Sequence, residues 1–313
     1  MKFATHLTEA GPQGAVVVDG RLCPVADAAA EAGITLEDPS VRSLLATTTT
    51  AQRQAVAAAA AAVAARAHEQ LPLLEHVSLL PPVPDPQKII CLALNSRDHC
   101  SEVGIDEPKA AWFFPKWQTS LVGHGATVHA TTATRQLDWE GEVALVIGAP
   151  ARNVPEDRAL EYVAGIMPFN DLSARDLIHG LESIALTKSG DAQAPCGPVL
   201  VSLDEIGDLD DLRYRTRVNG EVKQDGSTSD QIFHAAAVIA ALSRFTTLVP
   251  GDVIAMGTLP GVGVARTPQE FLQDGDVVEV EIDGVGVLTT TIGAACDEPV
   301  LGASAGSPTA RAV

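Results

Sequence analysis

At 313 residues and 46% hydrophobic content the chain is long enough for one large globular domain or one and a half, with ample core for independent folding. Lys plus Arg number 21 against 40 Asp plus Glu, a formal net charge of -19 that argues against a nucleic-acid or anionic-membrane partner. Five scattered cysteines with no C-x-x-C pair, an N-terminus without the apolar core of a signal peptide, and no apolar run approaching the roughly 18 residues of a membrane span point to an unprocessed, soluble protein of the reducing cytoplasm.

Residues 14 to 24 read as two short strands turned at Asp19-Gly20, a favourable hairpin dipeptide. Residues 51 to 69, with an alanine run from Ala57 to Ala62, form the most helix-prone segment, an outer helix with little specific chemistry. Pro81, Pro82, Pro84 and Pro86 stiffen the chain and bar both helix and central strand. A boundary is placed there between a small N-terminal domain, 1–80, and a catalytic domain, 81–300; residues 301–313 are small, polar and frayed.

Lys88 to Leu94 is a strand that runs into Asn95-Ser96-Arg97-Asp98-His99-Cys100-Ser101-Glu102. His99 and Glu102 are three apart and share a face on one helical turn, where an imidazole oriented by a carboxylate is a competent general base. A plain surface contact is the alternative reading. Gly104 and Pro108 frame residues 96 to 108 as a mobile lid.

Val143 to Ile147 is apolar and rich in β-branched residues, a buried strand led by Glu140 and Glu142. Positions i and i+2 of a strand face the same side. Two carboxylates side by side are costly unless a cation or a shared proton compensates them, and a divalent metal is the simplest compensation. The bland alternative is a strand end still in solvent.

Pro155 to Gly165 reads as a helix, with a proline and two acids in its first turn and glycine at its end. It leads to Phe169-Asn170-Asp171-Leu172-Ser173-Ala174-Arg175-Asp176, where Asp171 is either a third carboxylate of the site or the cap of the following helix. Lys188 and Asp191 precede a strand at Val199 to Ser202, Asn219-Gly220 makes a hairpin turn, and residues 230 to 246 form a helix. The glycines at 257, 261 and 263 mimic a phosphate loop but lack the Lys-Ser/Thr ending of a Walker motif, so a nucleotide role is set aside. Val277 to Ile282 alternates as a strand, and Asp283-Gly284 turns it back toward Val287 to Ile292.

In this order the motifs Asn95 to Glu102, Asp138 to Glu142, Asn170-Asp171 with Ser173 to Asp176, Lys188 and Asp191, Asn219-Gly220, Pro250-Gly251-Asp252, Gly257-Thr258 and Gly275-Asp276 resemble the fumarylacetoacetate hydrolase family, over roughly Lys88 to Ile292. The resemblance implies an α+β, β-rich fold, a mixed β-roll catalytic domain with a small N-terminal domain, and a homodimer. It implies Glu140, Glu142 and Asp171 as ligands of Mg²⁺ or Mn²⁺, His99 and Glu102 as the dyad that activates water, and Lys188 as a substrate-binding lysine near the metal. Arg175 and Thr258 match positions near the substrate. Four departures from the pattern bear on the reaction: Ser96 stands where the family often has tyrosine, Ile166 where it has an aromatic, Ile178 where it has glutamine, and Leu259 where proline usually follows Gly-Thr.

Three carboxylates form a hard oxygen site suited to Mg²⁺ or Mn²⁺ that leaves positions open for water and a chelating keto acid. The expected activity is therefore metal-dependent hydrolysis of a C–C bond in a small acylpyruvate or 1,3-diketo acid. The alternative on the same site is decarboxylation or keto-enol isomerisation of a 2-keto (di)acid, and a remote one is a non-catalytic metal-binding dimer. Because Ile178 cannot donate a hydrogen bond, chemistry at a bound enolate follows more firmly than any one substrate.

Overall fold

The computed structural model describes residues 1–181 and 183–298; the tail expected from 301 lies outside them. Its spine is a ten-stranded mixed sheet through which Gly141–Ile147 runs centrally, between Val163–Asn170 on one side and Val253–Ala255 on the other. All seven residues of this central strand are buried. Val143, Leu145 and Ile147 pack into one apolar cluster and Ala144 and Val146 into another, so both faces of the sheet are covered. That explains a continuous apolar run where a one-faced strand would alternate.

Beyond Val253–Ala255 the sheet continues in parallel to Ile89–Ala93 and ends at the strand Trp112–Lys116. In the other direction it passes through Leu200–Ser202 to Lys2–Thr8, Gly11–Val18 and Arg21–Pro24. The N-terminal strands thus join the main sheet directly, with Lys2 opposite Val201 and Phe3 opposite Leu200. Phe3 and Val56 share a hydrophobic cluster with Ile89, Met167 and Val253. A second, five-stranded sheet carries the hairpin of Arg213–Val218 and Glu221–Ser227 together with Val277–Ile282, Gly286–Gly293 and Thr127–His129.

The alanine-rich helix spans Thr50–Ala67 and starts at a capping box between Thr49 and Gln52. It buries Arg53, Val56, Ala60 and Ala64 along one stripe. The hairpin turns at Asp19-Gly20 and Asn219-Gly220 form with positive φ at both central residues, as their sequences require.

Two expected helices are corrected. The segment expected to be helical from Pro155 to Gly165 is a 3₁₀ turn over Glu156–Tyr162, followed by the strand Val163–Asn170. Gly165 is no helix stop: a Cβ there would meet the Val201 carbonyl oxygen at 2.1 Å, so glycine permits the close approach of the neighbouring strand. The helix expected over 230 to 246 is shorter, Ala235–Phe245. Residues before it are held extended because Ile232 N donates to the Asn95 carbonyl at 3.0 Å and Phe233 N to Asn95 Oδ1 at 2.8 Å.

Candidate active site

Glu140, at the mouth of the central strand, and Asp171, just beyond its neighbour, come together because Gly141 pairs with Asn170. Asp171 N donates to the Glu140 carbonyl at 2.9 Å, and Glu140 N to Asn170 Oδ1 at 3.1 Å. Carboxylate oxygens of Glu140, Glu142 and Asp171 lie within 4.8 Å of one another, all three buried. The solvent-exposed strand end and the helix cap, the two bland alternatives, do not describe these residues.

Positive charge surrounds the acids. Lys188 Nζ lies 2.5 Å from Glu140 Oε2 and 2.8 Å from Asp171 Oδ2, and Arg175 bridges Asp138 at 2.8 Å and Glu140 at 2.5 Å. Lys116 Nζ, fully buried, lies 2.6 Å from Asp171 Oδ1. Burial works against ionisation of Glu140, but Lys188 and Arg175 outweigh it and bring its pKa down to about 2. For Lys188 burial again opposes the charge, and Asp171 and Glu140 overcome it and hold the ammonium above the ordinary lysine range.

Glu142 is the exception. It receives Gly257 N at 2.8 Å and, among the described residues, no Lys or Arg nitrogen within ion-pair distance. Burial first, and then Asp171 and Glu140, push its carboxyl well above the usual range. Four carboxylates, counting Asp138, thus face three side-chain cations, with the uncompensated one inside the triad. A divalent cation fits that deficit, and the all-oxygen donor set suits a hard ion.

The His99–Glu102 pair forms as expected on the helix Arg97–Val103, with His99 Nδ1 3.0 Å from Glu102 Oε2. Leu94, at the end of the preceding strand, turns the chain with a positive φ of 54°, a backbone conformation uncommon outside glycine. His99 is buried and lines a cavity of about 200 Å³ with Glu140, Arg175, Ile178, Lys188 and Thr258. Its remaining wall is apolar, including Trp112, Phe114 and Ile184, and the Phe114 ring lies 5.3 Å from Lys188 Nζ.

Ser96 does not line this cavity; it caps the dyad helix and donates to Asp230. The Thr258 hydroxyl is engaged, donating to the Gly141 carbonyl at 3.0 Å and accepting from Gln224 at 2.8 Å. The segment at 96–108, expected as a lid, is docked here through Glu102 Oε1, which receives Gly261 N at 2.7 Å. Sequence reasoning gave no role to Lys116, Asp138 or Gln224. Lys116 ends an apolar strand, where a lone lysine in a run of aromatic and proline residues was the available signal.

Residues 88–293 match the model of the fumarylacetoacetate (FAA) hydrolase C-terminal family. The chain is 41% identical over 219 residues to a mitochondrial oxaloacetate tautomerase of Xenopus laevis, covering 69% of each. It is 42% identical over 224 residues to the oxaloacetate tautomerase YisK of Bacillus subtilis, covering 70% of this chain and 74% of that one. A putative HpcE protein from Mycobacterium smegmatis superposes with a TM-score of 0.79 at 32% identity, over 95% of this chain and 100% of that one. Maleylpyruvate hydrolase from Sphingobium sp. SYK-6, in complex with manganese(II) and pyruvate, does so with 0.73 at 25% identity and the same coverage.

Proposed function

The chain belongs to the fumarylacetoacetate hydrolase family, and from that premise we propose that it catalyses keto-enol tautomerisation of a small 2-keto diacid such as oxaloacetate, with Mg²⁺ or Mn²⁺ as cofactor. The observation that carries this reading is the pairing, across one small cavity, of the Glu102-held His99 imidazole with the Glu140 and Lys188 side of the acidic cluster. Glu140, Glu142 and Asp171 would hold the cation, which when bound supplies a Lewis acid for enolate oxygen.

Within the cavity Arg175 and Lys188 offer positive charge to a carboxylate beside a largely apolar wall. Ketonisation of an enol moves one proton from the enol hydroxyl to solvent or a base and adds one at the neighbouring carbon, while C=C becomes C–C and C–O becomes C=O. In this reading His99 delivers and removes the proton at carbon, a role supported by the 3.0 Å contact of its Nδ1 with Glu102 Oε2, through which the carboxylate orients the ring.

Hydrolysis of a C–C bond, the activity first expected, needs an activated water in addition to that proton transfer. The likeness to maleylpyruvate hydrolase favours it as a second reading. Against it stands Ile178, an apolar side chain on the cavity wall that donates no hydrogen bond to a developing anion. The relatives' names favour the tautomerase.

Product analysis decides. Loss of the enol absorbance of oxaloacetate without cleavage supports the proposal; carbon dioxide release means decarboxylation, and fragments from an acylpyruvate mean hydrolysis. Among the described residues no helix is long and apolar enough to cross a membrane. Placement in a reducing cytoplasm is part of the proposal, supported by five cysteines that stand as free thiols. The homodimer implied by the resemblance belongs to the same proposal, and sedimentation equilibrium measures it.

A further inference from the structure

The helix Arg97–Val103 carries both members of the dyad, yet its position is set from outside the cavity. A helix of two turns has too few hydrogen bonds to stand alone, so its anchors decide where His99 points. Ser96 Oγ accepts His99 N at 3.0 Å and gives its own proton to Asp230 Oδ2. The same carboxylate oxygen faces Asp98 N at 3.3 Å. Arg97 Nη1 donates to the carbonyls of Asp230 and Gln231 at 3.1 and 2.7 Å, and Asn95 Nδ2 donates to the Phe233 carbonyl at 3.0 Å. Asp230 itself closes the turn Thr228–Asp230 and takes no part in the cavity lining.

We propose that Asp230 is a positioning residue for the His99–Glu102 base, acting through Ser96. The proposal rests on the reading of His99 as the group that moves the proton. Asp230 accepts from the helix cap, and the helix's other end is held where Glu102 receives Gly261 N. Between these two points the imidazole is fixed. Without the carboxylate, the Ser96 hydroxyl and Asp98 N lose their acceptor, and the first turn is held less firmly, by the contacts of Arg97 and Asn95 to backbone carbonyls.

The test uses the full-length, metal-loaded enzyme with enol-oxaloacetate and four variants: Asp230→Ala, Asp230→Asn, Ser96→Ala and His99→Asn, with the Asp230→Ala/His99→Asn double variant. Asp230→Ala is expected to speed amide hydrogen exchange over residues 97–103 and to lower kcat roughly 10- to 100-fold, the scale of a small misplacement of a reacting group, with KM within about twofold. Asp230→Asn, whose amide oxygen still accepts, is expected to restore most of the rate. Ser96→Ala, which leaves Asp230 in place, is expected to reproduce the loss and keeps the test alive if Asp230→Ala misfolds. In the His99→Asn background, Asp230→Ala is expected to cost nothing further.

Unchanged exchange at 97–103 in Asp230→Ala, or an equal loss of kcat with and without His99, overturns the proposal. An inactive His99→Asn beside a fully active Asp230→Ala overturns the positioning role alone. A fully active His99→Asn overturns the base assignment, and the positioning role with it.

Discussion

Glu142→Gln offers a sign reversal that few mutations allow. In the metal-free protein Glu142 is buried beside Glu140 and Asp171, with the Gly257 amide as its hydrogen-bond donor, so its ionised form is strongly disfavoured. Glutamine keeps the acceptor for Gly257 N and removes the charge. A carboxyl whose native pKa lies above the unfolded one costs nothing below the unfolded value, the ordinary 4.5, and costs more as pH rises from there. The deficit grows by about 1.4 kcal/mol per pH unit until the pH passes the native pKa. Glu142→Gln is therefore expected to be more stable than the parent in EDTA at pH 7, by at least about 1 kcal/mol, and to lose that advantage toward pH 4.5. With a divalent cation at 100 times its dissociation constant the parent gains about 2.7 kcal/mol, which the variant, lacking one anionic ligand, does not match. Urea unfolding with and without Mn²⁺, at pH 5 and 7, reads both signs. A variant less stable than the parent in EDTA at pH 7 would refute the argument that Glu142 is the uncompensated charge.

Other substitutions probe separate parts of the site. His99→Asn is expected to lower kcat about 10²- to 10⁴-fold while leaving Mn²⁺ affinity within about twofold, measured by steady-state kinetics and calorimetric titration. Ile178→Gln, which adds a donor to the cavity wall, is expected to raise kcat/KM on a fumarylpyruvate-like acid relative to an apolar acylpyruvate; ratios within about twofold, roughly 0.4 kcal/mol, would mean that Ile178 does not set specificity. Gly257→Ala places a Cβ 2.8 Å from Asn95 Cβ at a backbone φ of 89°, and is expected to cost about 1–3 kcal/mol in urea unfolding and to weaken metal binding through the displaced Glu142 contact. Gly165→Ala, which meets the Val201 carbonyl, is expected to lower stability similarly, with kcat per folded molecule unchanged.

The acidic triad was legible because strand periodicity puts residues two apart on one side and because an apolar run announced a buried strand beside Glu140 and Glu142. The dyad was legible for the matching helical reason, three residues on one turn. Tyrosine-to-serine replacement at 96 misled, because a short hydroxyl serves as well at a helix cap as at a substrate, and sequence spacing does not tell Asp230 from any other surface aspartate. Lys116 was missed for a related reason: its partner, Asp171, is brought near only by the pairing of distant strands. Gly165 looked like a helix stop because glycine punctuates helices and tight strand contacts alike, and the neighbouring strand at Val201 decides between them. How the N-terminal strands join the main sheet depends on the pairing of Lys2 with Val201, a contact between distant segments that no local pattern encodes.

Enolisation at the acidic cluster with His99 moving the proton is tested most directly by proton NMR in D₂O, following deuterium entry at carbon 3 of oxaloacetate. With Mn²⁺- or Mg²⁺-loaded protein exchange is expected well above the uncatalysed rate, returning to that rate in EDTA and in His99→Asn. Exchange no faster than the uncatalysed rate with the metal-loaded enzyme, or equal acceleration by His99→Asn, would contradict it.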